Sequence, residues 1–269
     1  MADPKDVIDQ AYELFDAAHV EEALDLVRPL LPRQTSMSHD NRLSLLRLVG
    51  RCSLEMGDYE RARQAFDSAA RLAPDLDRLD LAISCFYMCR FDEAEMILDT
   101  LPVYPEIEAE INWYRGLLAE RRGDFEQGDS FFRRAARLDR RRFSVPHKID
   151  MNDVRDMYDA VLEEMPPEMR TVAIEVPLIV EELPSEETLE EAGGRLHPLI
   201  LGLYIGTPLP QKSTFTPSPD IDRIVLFRRN IAKFAHNPDD LKRELRHTII
   251  HEIGHHFGMS EEELEELGY

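Results

Sequence analysis

The sequence predicts two domains of different class. Residues 1–146 read as an all-α solenoid of helix–turn–helix repeats, and residues 147–269 as an α+β domain with a small sheet and one long helix. Three observations carry that division. A pattern of apolar and small residues returns four times before residue 146. β-branched segments bounded by proline follow it. Near the end, a well-signalled helix gathers histidine and glutamate at one-turn spacing. A length of 269 residues suits one large or two ordinary domains, at roughly 100–200 residues each.

The repeat emerges when 18–31, 57–70, 89–102 and 123–136 are aligned. One column holds Val20, Tyr59, Phe91 and Phe125. Three residues on stand Ala23, Ala62, Ala94 and Gly128, small enough to let a neighbouring helix approach. Four further on, Val27, Phe66, Leu98 and Phe132 fill the gap that remains. Leu30, Ala69, Leu101 and Ala135 close the pattern. Successive copies lie 39, 32 and 34 residues apart, with Gly57-Asp58 and Gly123-Asp124 marking the turn. In period and unit this resembles the tetratricopeptide repeat. The copy with Leu46, Val49, Gly50, Tyr59, Ala62, Phe66, Ala69 and Pro74 fits best, while Cys89 replaces the turn glycine and Gly128 the packing alanine. The resemblance implies a curved array that holds a protein or peptide segment; packing as a scaffold is the plainer alternative.

The second half is read element by element. Residues 150–165 place Met151, Val154, Met157, Tyr158, Val161 and Leu162 at helical spacing, and Pro166-Pro167 ends that helix. Residues 169–183 are β-branched and read as a strand. Residues 185–192 open with a Ser185 cap followed by glutamates, a short helix. Residues 199–206 and 222–229 read as two further strands, joined by a Pro/Ser/Thr-rich loop over 207–221. Asn237 caps a helix that Pro238 opens, Asp239 and Asp240 complement its positive end, and Gly258 stops it. Ser260 and Glu263 form a second capping box for a last short helix.

Charge narrows the functional classes. The chain carries 32 Lys+Arg against 53 Asp+Glu, a net of −21 shared by both halves, so nucleic acid is not an expected partner. The run Arg133, Arg134, Arg137, Arg140, Arg141, Arg142 reads as a solvated face. No segment reaches the roughly 18 apolar residues of a membrane span, and the acidic opening MADPKDVIDQ lacks the apolar core of a secretory signal. Cys52, Cys85 and Cys89 make no disulfide framework, which fits a reducing cytoplasm. Cys85 and Cys89 lie one turn apart without a third ligand nearby and read as small buried hydrophobes.

The chemistry gathers at 251–261, HEIGHHFGMSE. The i, i+4 spacing puts His251 and His255 on one helix face, suited to a single Zn²⁺. Catalytic zinc takes three protein ligands and keeps one position open. Gly258 lets the chain swing back so that Glu261 approaches as third ligand, with Glu262 as the alternative. Glu252, next to His251, takes a proton from zinc-bound water as general base and returns it to the leaving amine. His247, one turn before His251, is a candidate to support that ligand. His256 falls off the ligand stripe and reads as a surface or supporting group. Tyr204 and Tyr269 are candidates to stabilise a tetrahedral intermediate, with core packing and a frayed end as the alternatives.

Taken in order, 166–184, 201–213, 221–231 and 245–269 resemble the bacterial minimal zincin-like metallopeptidases, a likeness that covers about 150–269. The resemblance implies a minimal zincin fold, Zn²⁺ on His251, His255 and an acidic third ligand, and Glu252 as the base. Glu261 stands where that family often has Asp, and no methionine follows it, so the methionine turn of larger relatives is missing. The expected function is a cytoplasmic zinc metallopeptidase of restricted activity, with the repeats recruiting its protein or peptide substrate. A non-enzymatic adaptor with a structural or occluded zinc site is the second reading, and metal-assisted hydrolysis of a non-peptide bond the third.

Overall fold

The computed structural model describes residues 3–191, 197–212 and 221–268. The chain divides into two compact units, the division falling between Phe131 and Phe132. Among the described residues, no helix is long and apolar enough to cross a membrane.

The first unit is an array of helix–turn–helix pairs. Its helices are α1 (Pro4–Asp16), α2 (Val20–Val27), α3 (His39–Glu55), α4 (Tyr59–Ala70), α5 (Pro74–Tyr87), α6 (Phe91–Asp99), α7 (Glu108–Arg121) and the start of α8 (Phe125–Leu138). Four residues in the left-handed region join them in pairs: Ala18 (φ 64°), Gly57 (72°), Cys89 (58°) and Gly123 (79°). They occupy one column of the repeat. Each closes the preceding helix with the same two bonds. His19, Asp58, Arg90 and Asp124 donate their backbone N–H groups to the carbonyls of Leu14, Ser53, Cys85 and Ala119, five residues back, at 2.8–3.0 Å. Ala18, Gly57, Cys89 and Gly123 donate to carbonyls three residues back. This satisfies the last carbonyls of each first helix and turns the chain into its partner.

The columns then pack as their sizes require. Ala23, Ala62, Ala94 and Gly128 are buried, as are Val27, Phe66, Leu98 and Phe132. A Cβ on Gly50 would come within 2.6 Å of the Phe66 ring, so glycine there seats the ring against α3. Gly128 is explained in the same way: a Cβ would lie 3.0 Å from Glu120 Cγ and 3.2 Å from the Gly116 carbonyl. Here α8 approaches α7 more closely than alanine allows. Pro74 opens α5 instead of closing a repeat. Arg47 on α3 reaches the buried Asp77 on α5 with two nitrogens, at 2.6 and 2.9 Å.

The second unit holds α9 (Met151–Glu164), α10 (Pro167–Ala173), β1 (Leu178–Glu181), α11 (Glu186–Glu191), β2 (Gly202–Ile205), β3 (Arg223–Phe227), α12 (Arg228–Lys233), α13 (Pro238–His256) and α14 (Glu261–Glu266). The strand order is β1-β3-β2. β1 runs parallel to β3, pairing Leu178 with Ile224, and β2 runs antiparallel, pairing Tyr204 with Ile224. Ile224 and Leu226 of β3 join Val154, Tyr158, Val161 and Leu162 of α9 and Leu245, Ile249 and Ile253 of α13 in one core. Each such side chain contributes about 1.5–3 kcal/mol by leaving water.

The strand expected over 169–183 begins as helix, through Ala173, and is strand only over Leu178–Glu181. Pro167 starts α10, and Arg170 turns back to donate to the Leu162 carbonyl at 2.7 Å and to the Glu163 carbonyl. Those bonds outweigh the β-branched bias of Thr171 and Val172. Pairing begins only after Pro177, at Leu178. The strand expected over 222–229 likewise ends at Phe227, where α12 takes over. Buried Asn230 on α12 donates to the carbonyls of Pro198 (3.1 Å) and Ile200 (2.8 Å), fixing the approach to β2.

Candidate metal centre

α13 carries the site, and its start follows the rules of helix capping. Asn237 accepts from the N–H groups of Asp239 (3.0 Å) and Asp240 (2.9 Å), with Pro238 at the first position. One face of α13 buries Leu245, Ile249, Ile253, Glu252 and His256. His251 and His255, one turn apart, lie half-buried.

At its end α13 uses the turn found in the repeats. Gly258 (φ 85°) donates to the His255 carbonyl and Met259 to the Gly254 carbonyl. A Cβ on Gly258 would stand 2.8 Å from Pro210, so this position rejects a side chain on two grounds. The turn puts the Met259 carbonyl 3.2 Å from His255 Nδ1, where it accepts that N–H and leaves Nε2 with a lone pair. Glu261 then arrives as the first residue of α14.

The geometry is compact. His251 Nε2 and His255 Nε2 are 3.0 Å apart. Glu261 places one oxygen 3.3 Å from His251 Nε2 and the other 3.3 Å from His255 Nε2. These three residues form a cluster able to hold a metal ion. Donors about 2.0–2.1 Å from one tetrahedral Zn²⁺ lie about 3.3 Å from each other; the two Nε2 atoms, each with a Glu261 oxygen beside it, come close to that spacing. Glu262 is not part of this cluster.

Glu252 sits deeper. It is 5% exposed, and the Tyr204 backbone N–H donates to its carboxylate. Burial pushes its pKa up to about 8, with a smaller upward push from the Glu261 charge, against the Tyr204 bond. Gly202 makes the room: a Cβ there would meet Glu252 Oε1 at 2.7 Å and Thr248 Cγ2 at 2.9 Å.

The remaining expected residues fall elsewhere. His247 stacks on His251, with ring centroids 6.5 Å apart and planes 18° apart, outside the ligand cluster. His256 is 2% exposed rather than on the surface, with Nδ1 3.1 Å from the Tyr204 hydroxyl. The one hydroxyl proton of Tyr204 is shared between two acceptors, the Thr207 carbonyl at 3.1 Å and Asp222, so that oxygen serves the base of the β2–β3 loop. Burial and the Asp222 charge raise the Tyr204 pKa, and burial lowers that of His256. Residues 213–220 of the loop and Tyr269 lie outside the described residues. The sequence reading missed Gly202, whose place inside a strand pattern is itself a sign of close approach.

Comparison with known proteins bears on this segment. Residues 173–269 match the zincin-like metallopeptidase family. The matched stretch holds β1 to β3, α13 and α14, and hence every residue of the His251–His255–Glu261 cluster. None of the curated proteins matches the chain. The solved structure of the MamA RS-1 ArsTM double mutant is similar at 20% identity and a TM-score of 0.43, covering 52% of this chain and 77% of that one.

Proposed function

We propose that the chain is a zinc-dependent peptidase in which His251, His255 and Glu261 hold the metal and Glu252 moves the proton. The observation that carries this reading is the His251–His255–Glu261 cluster in a zincin-like segment: the two Nε2 atoms lie 3.0 Å apart, each 3.3 Å from a different Glu261 oxygen. Bound there, Zn²⁺ supplies a Lewis acid and lowers the pKa of a water to about 7. The chain does the rest. The Met259 carbonyl holds His255 in the tautomer that presents Nε2. The Tyr204 N–H and the space over Gly202 hold the Glu252 carboxylate in place. Glu252 takes a proton from water as it attacks the peptide carbonyl, then gives it to the leaving amine. Residues 1–146 recruit the protein substrate and 147–269 cut it, in the cytoplasm. Linkage of the two raises the local substrate concentration.

Glu252→Gln tests the reading. It keeps the carboxylate's shape, so zinc stays bound while turnover on a substrate captured by the repeats falls by about 10²–10⁴-fold. Undiminished turnover would remove Glu252 from the chemistry. One observation favours the second reading, an adaptor with an occluded zinc site: Glu252 is almost fully buried and already engaged by a strand amide. In that case Glu252→Gln leaves both zinc content and partner capture unchanged and wild type shows no turnover to lose.

A further inference from the structure

Glu261 poses a question that its own contacts do not answer. Its side chain is 69% exposed, and it starts a helix of only six residues. A flexible exposed carboxylate gives up side-chain entropy to stay opposite two imidazoles. Something else must fix its backbone.

Two features of α14 do so. Ser260 accepts the Glu263 N–H at 3.2 Å while Glu263 accepts the Ser260 N–H at 2.8 Å, closing the capping box directly before Glu261. Leu264, three residues after Glu261 and so on the same helical face, is 1% exposed. It rests on Gly254, where a Cβ would come within 2.5 Å of Leu264 Cδ2. Gly254 in turn lies three residues after His251 on α13. On each helix a docking residue therefore follows a metal-facing one by three positions, Gly254 after His251 and Leu264 after Glu261. Leu264 on Gly254 sets the register that brings Glu261 to His251 and His255.

We infer that Leu264 and Gly254, with the Ser260 capping box, are positioning residues for the third metal ligand. This rests on the zinc reading above. The measurement is Zn²⁺ affinity of the full chain by competition with a chromophoric chelator. Leu264→Ala and Gly254→Ala each weaken Zn²⁺ binding by about 10- to 100-fold with all three ligands intact, the range typical of groups that orient ligands. Leu264→Met restores most of that loss. In a Glu261→Ala background, Leu264→Ala changes the affinity by less than about twofold, because its effect passes through Glu261. Equal weakening in both backgrounds, or no weakening in the single variant, overturns the inference while leaving the ligand set standing. Unchanged affinity in Glu261→Ala alone overturns the ligand set, and the inference with it. Circular dichroism establishes that each variant is folded; if Leu264→Ala is not, Ser260→Ala carries the same expectation in both backgrounds.

Discussion

The turn at Gly258 and the turns at 18, 57, 89 and 123 are one backbone device in two settings. Each places a left-handed residue after a helix and satisfies the same two carbonyls. In the array, that residue only has to reverse the chain so that small and large columns interlock. Ala18 and Cys89 are tolerated there, and a Cβ on Gly123 would meet nothing within 4 Å. At Gly258 the turn also has to pass beneath Pro210, orient His255 through the Met259 carbonyl and deliver Glu261. A turn that only reverses the chain tolerates side chains that the turn beside the His251–His255–Glu261 cluster does not.

The largest effect should come from breaking the second setting. Gly258→Ala adds left-handed strain of about 1–2 kcal/mol to a clash with Pro210, and should destabilise the second unit by about 2 kcal/mol or more. Zinc affinity should fall in parallel. Gly123→Ala carries the strain alone and should leave zinc affinity unchanged. Equal loss of affinity in the two would dissolve the distinction. Chelator competition and urea denaturation on both variants decide it.

The first setting can be improved instead. Cys89→Gly relieves a non-glycine residue at φ 58° and should stabilise the first unit by about 0.5–1 kcal/mol. The single tryptophan, Trp113 on α7, reports that unit's unfolding in urea. A lower midpoint would mean that the Cys89 side chain contributes packing that outweighs its strain.

The smallest effect concerns Asp80, a half-buried acid in the array. Burial raises the Asp80 pKa from its ordinary 3.8 to about 6, with Arg51 opposing and Glu110 and Asp77 adding to the rise. The folded chain thus holds this proton more tightly than the unfolded one. Its contribution is full below about pH 4, and is lost as the pH rises through about 6. Asp80→Asn should flatten that slope in the Trp113 transition while leaving the site unaffected. An unchanged slope would assign the pH dependence to other groups.

These contrasts also explain what the sequence disclosed. The array was legible because one constraint is repeated four times, so weak copies such as Cys89 and Gly128 could be read against strong ones. α13 was legible from Asn237, Pro238 and the histidine spacing, and Glu261 from the swing that Gly258 allows. The sheet was harder. Its strands are four or five residues long, and the β-branched bias of 169–176 lost to Pro167 and Arg170. The burial of Glu252 beneath Gly202 depends on β2 packing against α13, a long-range fact that no local pattern contains. The Gly254–Leu264 register is hidden for the same reason: neither residue has meaning without the other.

The most direct test of the central claim is zinc stoichiometry, measured by elemental analysis on the purified wild-type chain beside His255→Ala. The account predicts about one zinc per wild-type chain, as a single three-ligand centre requires, and a loss of that zinc in His255→Ala. No zinc in the wild type, or zinc retained in full by His255→Ala, would contradict it.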